Sequence, residues 1–399
     1  MDFKLLGSVL LIVGTSIGGG MLALPIATAQ LGFLGTLGML IVCWFVMTMG
    51  AFLVLEVNLW LGQNSNLISM AKATTGRVGQ FIAWAVYILL LYSLLCAYIS
   101  GGSDLFQHLL ASLGLTLPRS LAAMAFTVVF GGVVYLGIRA VDYVNRGLMF
   151  IKLLAYVLLI GSLLPLVSAA HLEAGQLLEG ATSSTAWMVT MTSFGFATIV
   201  PSLRIYYAGN VRKLRQAIVL GSLVPLFCYI AWVFVIMGII PLSGDHSLTS
   251  ILHSSNSTSD LVTILSTGAG STSVSLLTSI FTSVCVLTSF LGVALCLTDF
   301  LADGLHLEKV GHWSVAISLL TFLPPLVIVL FWPHIFIQAL AHAGFYCVVL
   351  LIVLPAWMAL AGRRRFAKPG SYTVWGGALL PLFLLVFSLF LTLVLGFGR

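Results

Sequence analysis

The chain has 399 residues, 60% of them hydrophobic and 7% charged, with a mean hydropathy of +1.15. So little polar surface excludes a soluble globule and marks a polytopic, all-α membrane protein. The net charge of +6 invites a nucleic-acid reading, which the placement of the basic residues rejects.

A spanning helix needs about 20 mostly apolar residues. On that criterion the sequence predicts eleven spans, at 5–30, 34–59, 79–111, 119–138, 147–167, 185–208, 216–240, 272–301, 313–332, 339–361 and 377–396. Span 1 shows no small-residue cleavage pattern and is expected to stay in the protein. In its middle lies Gly14-Thr15-Ser16-Ile17-Gly18-Gly19-Gly20-Met21, followed by Leu22-Ala23-Leu24-Pro25. Each glycine costs a helix roughly 1 kcal/mol relative to alanine. Opened backbone at membrane depth survives only inside protein or along a cavity. The competing reading is that the glycines let neighbouring helices approach closely.

Span 2 carries Glu56 near its cytoplasmic end, and residues 63–79 read as a polar, basic stretch with a surface helix. In span 3, Tyr87 and Tyr92 lie too deep for the interfacial aromatic belt, so they pack or point at a cavity. Residues 139–146 read as a short basic loop, after which span 5 takes Lys152 one to two turns into the membrane.

Span 6 repeats the oddity of span 1. Thr192-Ser193-Phe194-Gly195-Phe196-Ala197-Thr198 interrupts an apolar run, and Pro201 follows Gly195 much as Pro25 follows Gly18. The two spans run in opposite directions. Interrupted helices at matching positions of two halves point to an inverted-repeat transporter with a midplane site. Opened, cavity-lining backbone is therefore the favoured reading of the glycines.

Beyond span 7, residues 242–271 form a long external loop with short helices expected near 248–252 and 261–265. The Asn256-Ser257-Thr258 triplet in it fits the glycosylation pattern. Span 8 is studded with Thr282, Ser283, Thr288 and Ser289 and ends in Asp299 and Asp303. A hydroxyl run of this length suggests a polar lining rather than isolated backbone bonding. Span 10 holds His342, Phe345 and Tyr346, and span 11 reads as plain lipid-facing packing.

With the amino terminus in the cytoplasm, fifteen of the seventeen Lys and Arg fall on that side, leaving Arg119 and Arg399 outside. This is the positive-inside distribution. Basic charge here sets orientation, and an odd number of spans puts the carboxyl terminus in the periplasm. The six cysteines lie inside spans with no metal-like spacing and read as packing residues. No metal or cofactor is expected. A membrane enzyme would need clustered carboxylates or histidines at one face. The eleven acids are scattered, with only Asp299 and Asp303 near one another. Nor does any ring-forming filter suggest a channel.

The run from Gly14 to Pro25, the stretch Tyr92-Ser93-Leu94-Leu95-Cys96-Ala97-Tyr98-Ile99-Ser100-Gly101-Gly102, Thr192-Ser193-Phe194-Gly195-Phe196 with Pro201-Ser202-Leu203, and Asn210-Val211-Arg212-Lys213-Leu214-Arg215 resemble the hydroxy/aromatic amino acid permease family. These are bacterial tyrosine- and tryptophan-specific permeases of the amino acid–polyamine–organocation superfamily. The resemblance covers nearly the whole chain. It implies a LeuT-type fold, with residues 1–170 and 180–362 as inverted repeats of five helices and 363–399 as an appended eleventh. It also implies uptake of an aromatic amino acid, tyrosine favoured, by proton symport across the inner membrane, with sodium as the rival ion. A monomer in the bilayer is expected to suffice. Members of the family often carry His-Gly after the Ser-Phe-Gly-Phe of span 6. This chain has Ala197-Thr198 there, so no role of that histidine transfers.

A zwitterion in such a site needs partners of both signs. The N–H groups at Gly19, Gly20 and Met21 offer a helix amino end to the carboxylate, with close approach eased by Gly18. The carbonyls of Thr15, Ser16 and Ile17 and those of Thr192, Ser193 and Phe194 are candidate acceptors for the ammonium. The Tyr92 hydroxyl is the expected further partner of the carboxylate, with Tyr87 as fallback. Phe194 and Phe196, beside Gly195, are the leading walls for the ring, with Phe345 and Tyr346 weaker. Ser283 or Thr288 would meet a substrate hydroxyl.

For coupling, an intramembrane lysine is a functional candidate by default, against snorkelling to the interface. The resemblance implies that Lys152 stands where sodium-coupled relatives hold an ion against the hydroxyls matching Thr288 and Ser289. Glu56 is the second coupling candidate, against structural pairing with a cytoplasmic arginine. His342 reads as a polar packing residue.

Overall fold

A computed structural model describes residues 3–62, 65–254, 256–307, 311–367 and 371–394. Lys309, Lys368 and Arg399, used above in placing charge, lie outside the described residues, as does the end of predicted span 11. Among the described residues every regular element is helical.

In chain order the helices are α1 (Phe3–Ser16), α2 (Gly19–Ala27), α3 (Gly32–Trp60), α4 (Leu67–Ser112), α5 (Arg119–Tyr135) and α6 (Ile138–Leu163). The short α7 (Ala169–Leu172) and α8 (Leu177–Ala181) lead to α9 (Ser184–Ser193), α10 (Val200–Tyr206) and α11 (Val211–Ile239). The second half continues with α12 (Leu248–Leu252), α13 (Ser257–Ala269), α14 (Thr272–Leu305), α15 (His312–Phe331), α16 (Phe336–Val348), α17 (Leu354–Phe366) and α18 (Leu379–Val394).

Among the described residues, eight helical segments are long and apolar enough to cross a membrane, and α1 with α2, bent by 55°, makes a ninth. The remaining two predicted spans are present as shorter apolar helices, α5 and α18. The lipid-facing surface is legible in exposed apolar side chains such as Phe150 and Val157 on α6, Leu319 and Leu323 on α15, and Phe383 and Leu389 on α18. Apolar groups on that scale are tolerated only beside lipid or a partner.

Helix starts follow local chemistry. Asn66 and Ser69 form a reciprocal capping box at 2.9 Å in each direction and begin α4. Its first turns end at Gly76, whose φ of +79° is a kink that suits glycine. Residues 67–75 are thus the surface helix anticipated ahead of span 3. Asn210 accepts from Lys213 N at 3.2 Å and starts α11.

The stretch 139–146 is not a loop. Gly137, with φ of +95°, turns the chain, and α6 begins at once. Its first turns carry the Asp142–Arg146 ion pair at 2.8 Å, one helical turn apart. Lys152 therefore stands fourteen residues into α6, about 21 Å along it at 1.5 Å per residue. Predicted span 10 is continuous through a π-helical turn at Val349–Val353, which joins α16 to α17. Beyond α11, α12 and α13 occupy the positions anticipated in the long loop. The buried Asp104 at the end of α4 accepts from Ser259 N at 2.9 Å and Ser259 Oγ at 2.7 Å, capping the amino end of α13.

Candidate functional site

Both predicted breaks exist. After α1, Ile17 still donates to the Val13 carbonyl at 2.8 Å, but Gly18 is extended and α2 starts at Gly19. After α9, Phe194 and Gly195 leave the helix, a 3-10 turn follows at Phe196–Ile199, and α10 opens with Pro201 in its first turn. The proline has no N–H to lose there, which makes the restart local in origin.

The three glycines bring the breaks against their neighbours. A Cβ on Gly18 would stand 2.1 Å from Ser289 Oγ on α14. On Gly19 it would meet the Tyr98 ring of α4 at 2.7 Å, and on Gly20 the Ser193 hydroxyl of α9 at 3.2 Å. Close packing and opened backbone, set against each other in the sequence, are the same feature here. The backbone opens where three other helices press against it.

The polar groups freed by the first break are taken by side chains. Ser289 Oγ accepts the Gly19 N–H at 3.0 Å and so caps α2. Lys152 Nζ donates to the Ile17 carbonyl at 2.7 Å and to Thr288 Oγ1 at 3.2 Å, with its side chain fully buried. Snorkelling is excluded by that burial and by the depth of Lys152 in α6. The Tyr229 hydroxyl, from α11, reaches the Ser16 carbonyl at 2.6 Å and the Ser193 carbonyl at 2.8 Å. The expectation that carbonyls at both breaks lie unpaired needs correction: the Ile17 carbonyl accepts from Lys152, those of Thr192 and Phe194 accept from the N–H groups of Gly195 and Phe196, and those of Ser16 and Ser193 share the single Tyr229 hydroxyl.

Phe194 and Phe196 are fully buried, and the Phe194 and Tyr229 rings make a T-shaped contact with centroids 5.2 Å apart. Thr15, by contrast, turns its hydroxyl back to the Ile12 carbonyl of its own helix at 2.8 Å. Met21 is fully buried in the first turn of α2.

Several expected residues lie elsewhere. The Tyr92 hydroxyl donates to the Leu320 carbonyl of α15 at 2.8 Å, so it ties α4 to a peripheral helix instead of facing the breaks. Tyr98, six residues later, is the tyrosine of α4 that packs on Gly19. Ser283 is half-buried and, two residues before Cys285, lies on the opposite side of α14 from Cys285 and Ser289 at 100° per residue. Phe345 is exposed and turned from the core. The Glu56 carboxylate is fully buried but sits at the far end of α3. It receives Arg363 Nε at 2.8 Å, Arg363 Nη2 at 2.9 Å and Val374 N at 2.8 Å. This is the structural pairing weighed against proton coupling, and it fastens α3 to α17 and to the chain leading to α18. Nearby, Arg204 is directed at the carbonyls of Asn58, Leu61 and Gly62 where α3 ends. A cavity of about 580 Å³ opens at this end, beside Thr74, Arg363, Arg364 and Arg365, away from the breaks.

Two residues at the breaks were not singled out as site residues in the sequence. Tyr98 stands in the quoted α4 motif just before Ser100-Gly101-Gly102, a small-residue signal for close approach. Tyr229 is a polar aromatic deep in an otherwise apolar run, which is its only sequence mark.

Two interrupted helices packed against each other inside an apolar bundle, with a buried cation between the first break and α14, define a multi-pass membrane transporter. Comparison with known proteins agrees and narrows the class. Residues 1–395 match the tryptophan/tyrosine permease family, and the chain belongs to it. Its relatives are transport proteins, not enzymes. It is 35% identical to tyrosine-specific transport system 1 of Haemophilus influenzae, across 98% of this chain and 96% of that protein. It is 32% identical to the tryptophan-specific transport protein of Shigella flexneri, across 96% and 93%. Identity to glutamine transporter 2 of Aliivibrio fischeri is also 32%, across 98% and 99%.

Proposed function

We propose that the chain imports an aromatic amino acid, tyrosine favoured, by proton symport with alternating access across the bacterial inner membrane. The working unit is an eleven-span monomer with a LeuT-type five-plus-five inverted repeat, a cytoplasmic amino terminus and a periplasmic carboxyl terminus. The substrate carboxylate faces the amino end of α2, where the helix dipole favours an anion, with the Gly20 N–H as its donor, since Ser289 takes that of Gly19 and the Gly18 carbonyl that of Met21. The substrate ring lies against Phe194 and Phe196. Tyr98 replaces Tyr92 as the tyrosine of α4 at the site.

The observation that carries the coupling is the Lys152 ammonium between the Ile17 carbonyl and Thr288 Oγ1. A fixed cation at the hinge of a broken helix does the work of a bound metal ion, and its proton is the transported charge. Neither Glu56, fully engaged by Arg363 and Val374, nor Ser289, which caps α2, is needed as the carrier.

Labelled tyrosine uptake into vesicles, with an imposed pH gradient and with sodium replaced by choline, tests this. Accumulation that follows the pH gradient and ignores sodium is expected, with tryptophan and phenylalanine competing. Sodium dependence would overturn the coupling. Glutamine is the second reading, supported by the glutamine-transporter relative. Competition by glutamine in preference to the aromatic amino acids would favour it.

A further inference from the structure

A tyrosine hydroxyl has one proton to donate and two lone pairs with which to accept. Tyr229 holds its hydroxyl within hydrogen-bond distance of two carbonyls, Ser16 at 2.6 Å and Ser193 at 2.8 Å, each the last residue of a helix before a break. One proton serves one of them. The shorter contact assigns it to Ser16, which leaves the Ser193 carbonyl beside the phenol oxygen without a proton between them. The side chain is fully buried, so bulk water does not make up the deficit. A second buried polar group beside the first break is also unsatisfied, and it can accept as well as donate. Ser16 Oγ is buried and has no hydrogen-bond partner among the described residues. Two carbonyls and a phenol oxygen with one proton among them, at the carboxyl ends of two half-helices, call for a donor with several N–H groups and a positive charge.

We propose that Tyr229 is a substrate-positioning residue. Its phenol oxygen, oriented by donation to the Ser16 carbonyl, accepts jointly with the Ser193 carbonyl from the ammonium group of the transported amino acid. The proposal rests on the reading of the chain as an amino acid importer and adds to it a side chain from α11. No covalent step is involved. The ammonium supplies the missing proton and binds both breaks into one unit, with the Phe194 and Tyr229 rings in T-shaped contact beside it.

Tyr229→Phe removes one oxygen and keeps the ring. Purified variant and wild type would be compared for inhibition of labelled tyrosine uptake by three probes: tyrosine, tyramine (no carboxylate) and 3-(4-hydroxyphenyl)propionate (no amine). Inhibition constants for tyrosine and tyramine should rise about tenfold or more, the size of one charge-assisted hydrogen bond, with the amine-free acid unchanged. An equal loss for all three probes would show that the hydroxyl only braces the helices and would overturn the proposal. So would no change for any of them. If the Phe variant does not fold, 3-fluorotyrosine installed at position 229 keeps the shape and weakens the oxygen as an acceptor. It should shift tyrosine and tyramine severalfold and spare the acid, and an unselective shift overturns the proposal again. Should the wild type carry glutamine instead, the aromatic reading fails separately. The same comparison then runs with glutamine and its amine-free counterpart.

Discussion

Lys152 Nζ lies 2.7 Å from the carbonyl oxygen of Ile17, a residue 135 positions away in the chain. Among the described residues no carboxylate pairs with this cation. Its charge is met by a peptide dipole that exists only because α1 stops at Ser16. A buried charge is compensated only where the geometry is good, so under the proposed coupling a change in the bend between α1 and α2 changes how well the Lys152 charge is held.

Lys152→Met should therefore abolish accumulation driven by a pH gradient, so that labelled substrate in proteoliposomes stops at its equilibrium level. Removing the donor also leaves the Ile17 carbonyl unsatisfied, which costs roughly 1–3 kcal/mol of stability. The thermal midpoint in detergent should fall accordingly. Undiminished accumulation would place the coupling elsewhere.

Gly18 and Ser289 are predicted to be energetically linked. Gly18→Ala drives a methyl group to within 2.1 Å of Ser289 Oγ and should destabilise by about 1–3 kcal/mol. Ser289→Ala alone should cost about 1 kcal/mol through loss of the cap on Gly19 N. The double variant should lose less than the sum, because the alanine at 289 makes room for the one at 18. Strict additivity in thermal unfolding would contradict the contact.

The Glu56–Arg363 pair should behave as a structural clamp. Arg363→Met strands the fully buried Glu56 charge and should cost about 3–5 kcal/mol, whereas Glu56→Gln leaves the partly exposed Arg363 unpaired and should cost less. The double variant should recover part of that loss and retain proton-driven uptake. A well-folded double variant that has lost coupling would return Glu56 to the proton path.

Orientation has a direct check. In a background without native cysteines, Ser112→Cys, in the exposed end of α4, should react with an impermeant maleimide added outside intact cells. Lys72→Cys, ahead of the Gly76 kink, should react only after permeabilisation. The reverse pattern would invert the whole molecule.

Much of the fold was legible in the sequence because membrane burial is written in local composition. A run of apolar residues must be helical when lipid offers its backbone no partner, so the spans are readable one at a time. The breaks were readable too. Gly18 to Gly20 and Gly195 weaken the helix at their own positions, and Pro201 restarts it. The boundary at 139–146 was misread because charged residues suggest a loop. Only the turn at Gly137 and the Asp142–Arg146 contact show that these residues are already helix.

What the sequence by itself determined is the class of protein, the two interruptions and the depth at which a lysine would be costly. Which side chains meet at those interruptions was decided by tertiary structure alone. Tyr92 and Tyr98 are indistinguishable by composition, yet one bonds to Leu320 and the other packs on Gly19. Ser283 and Ser289 share a helix, and only its rotation sends the second to the break. Tyr229 acquires meaning from two carbonyls contributed by different halves of the chain. Local composition reports how each helix meets lipid, whereas a site between helices depends on their mutual rotation. That rotation is set by close packing of residues far apart in sequence.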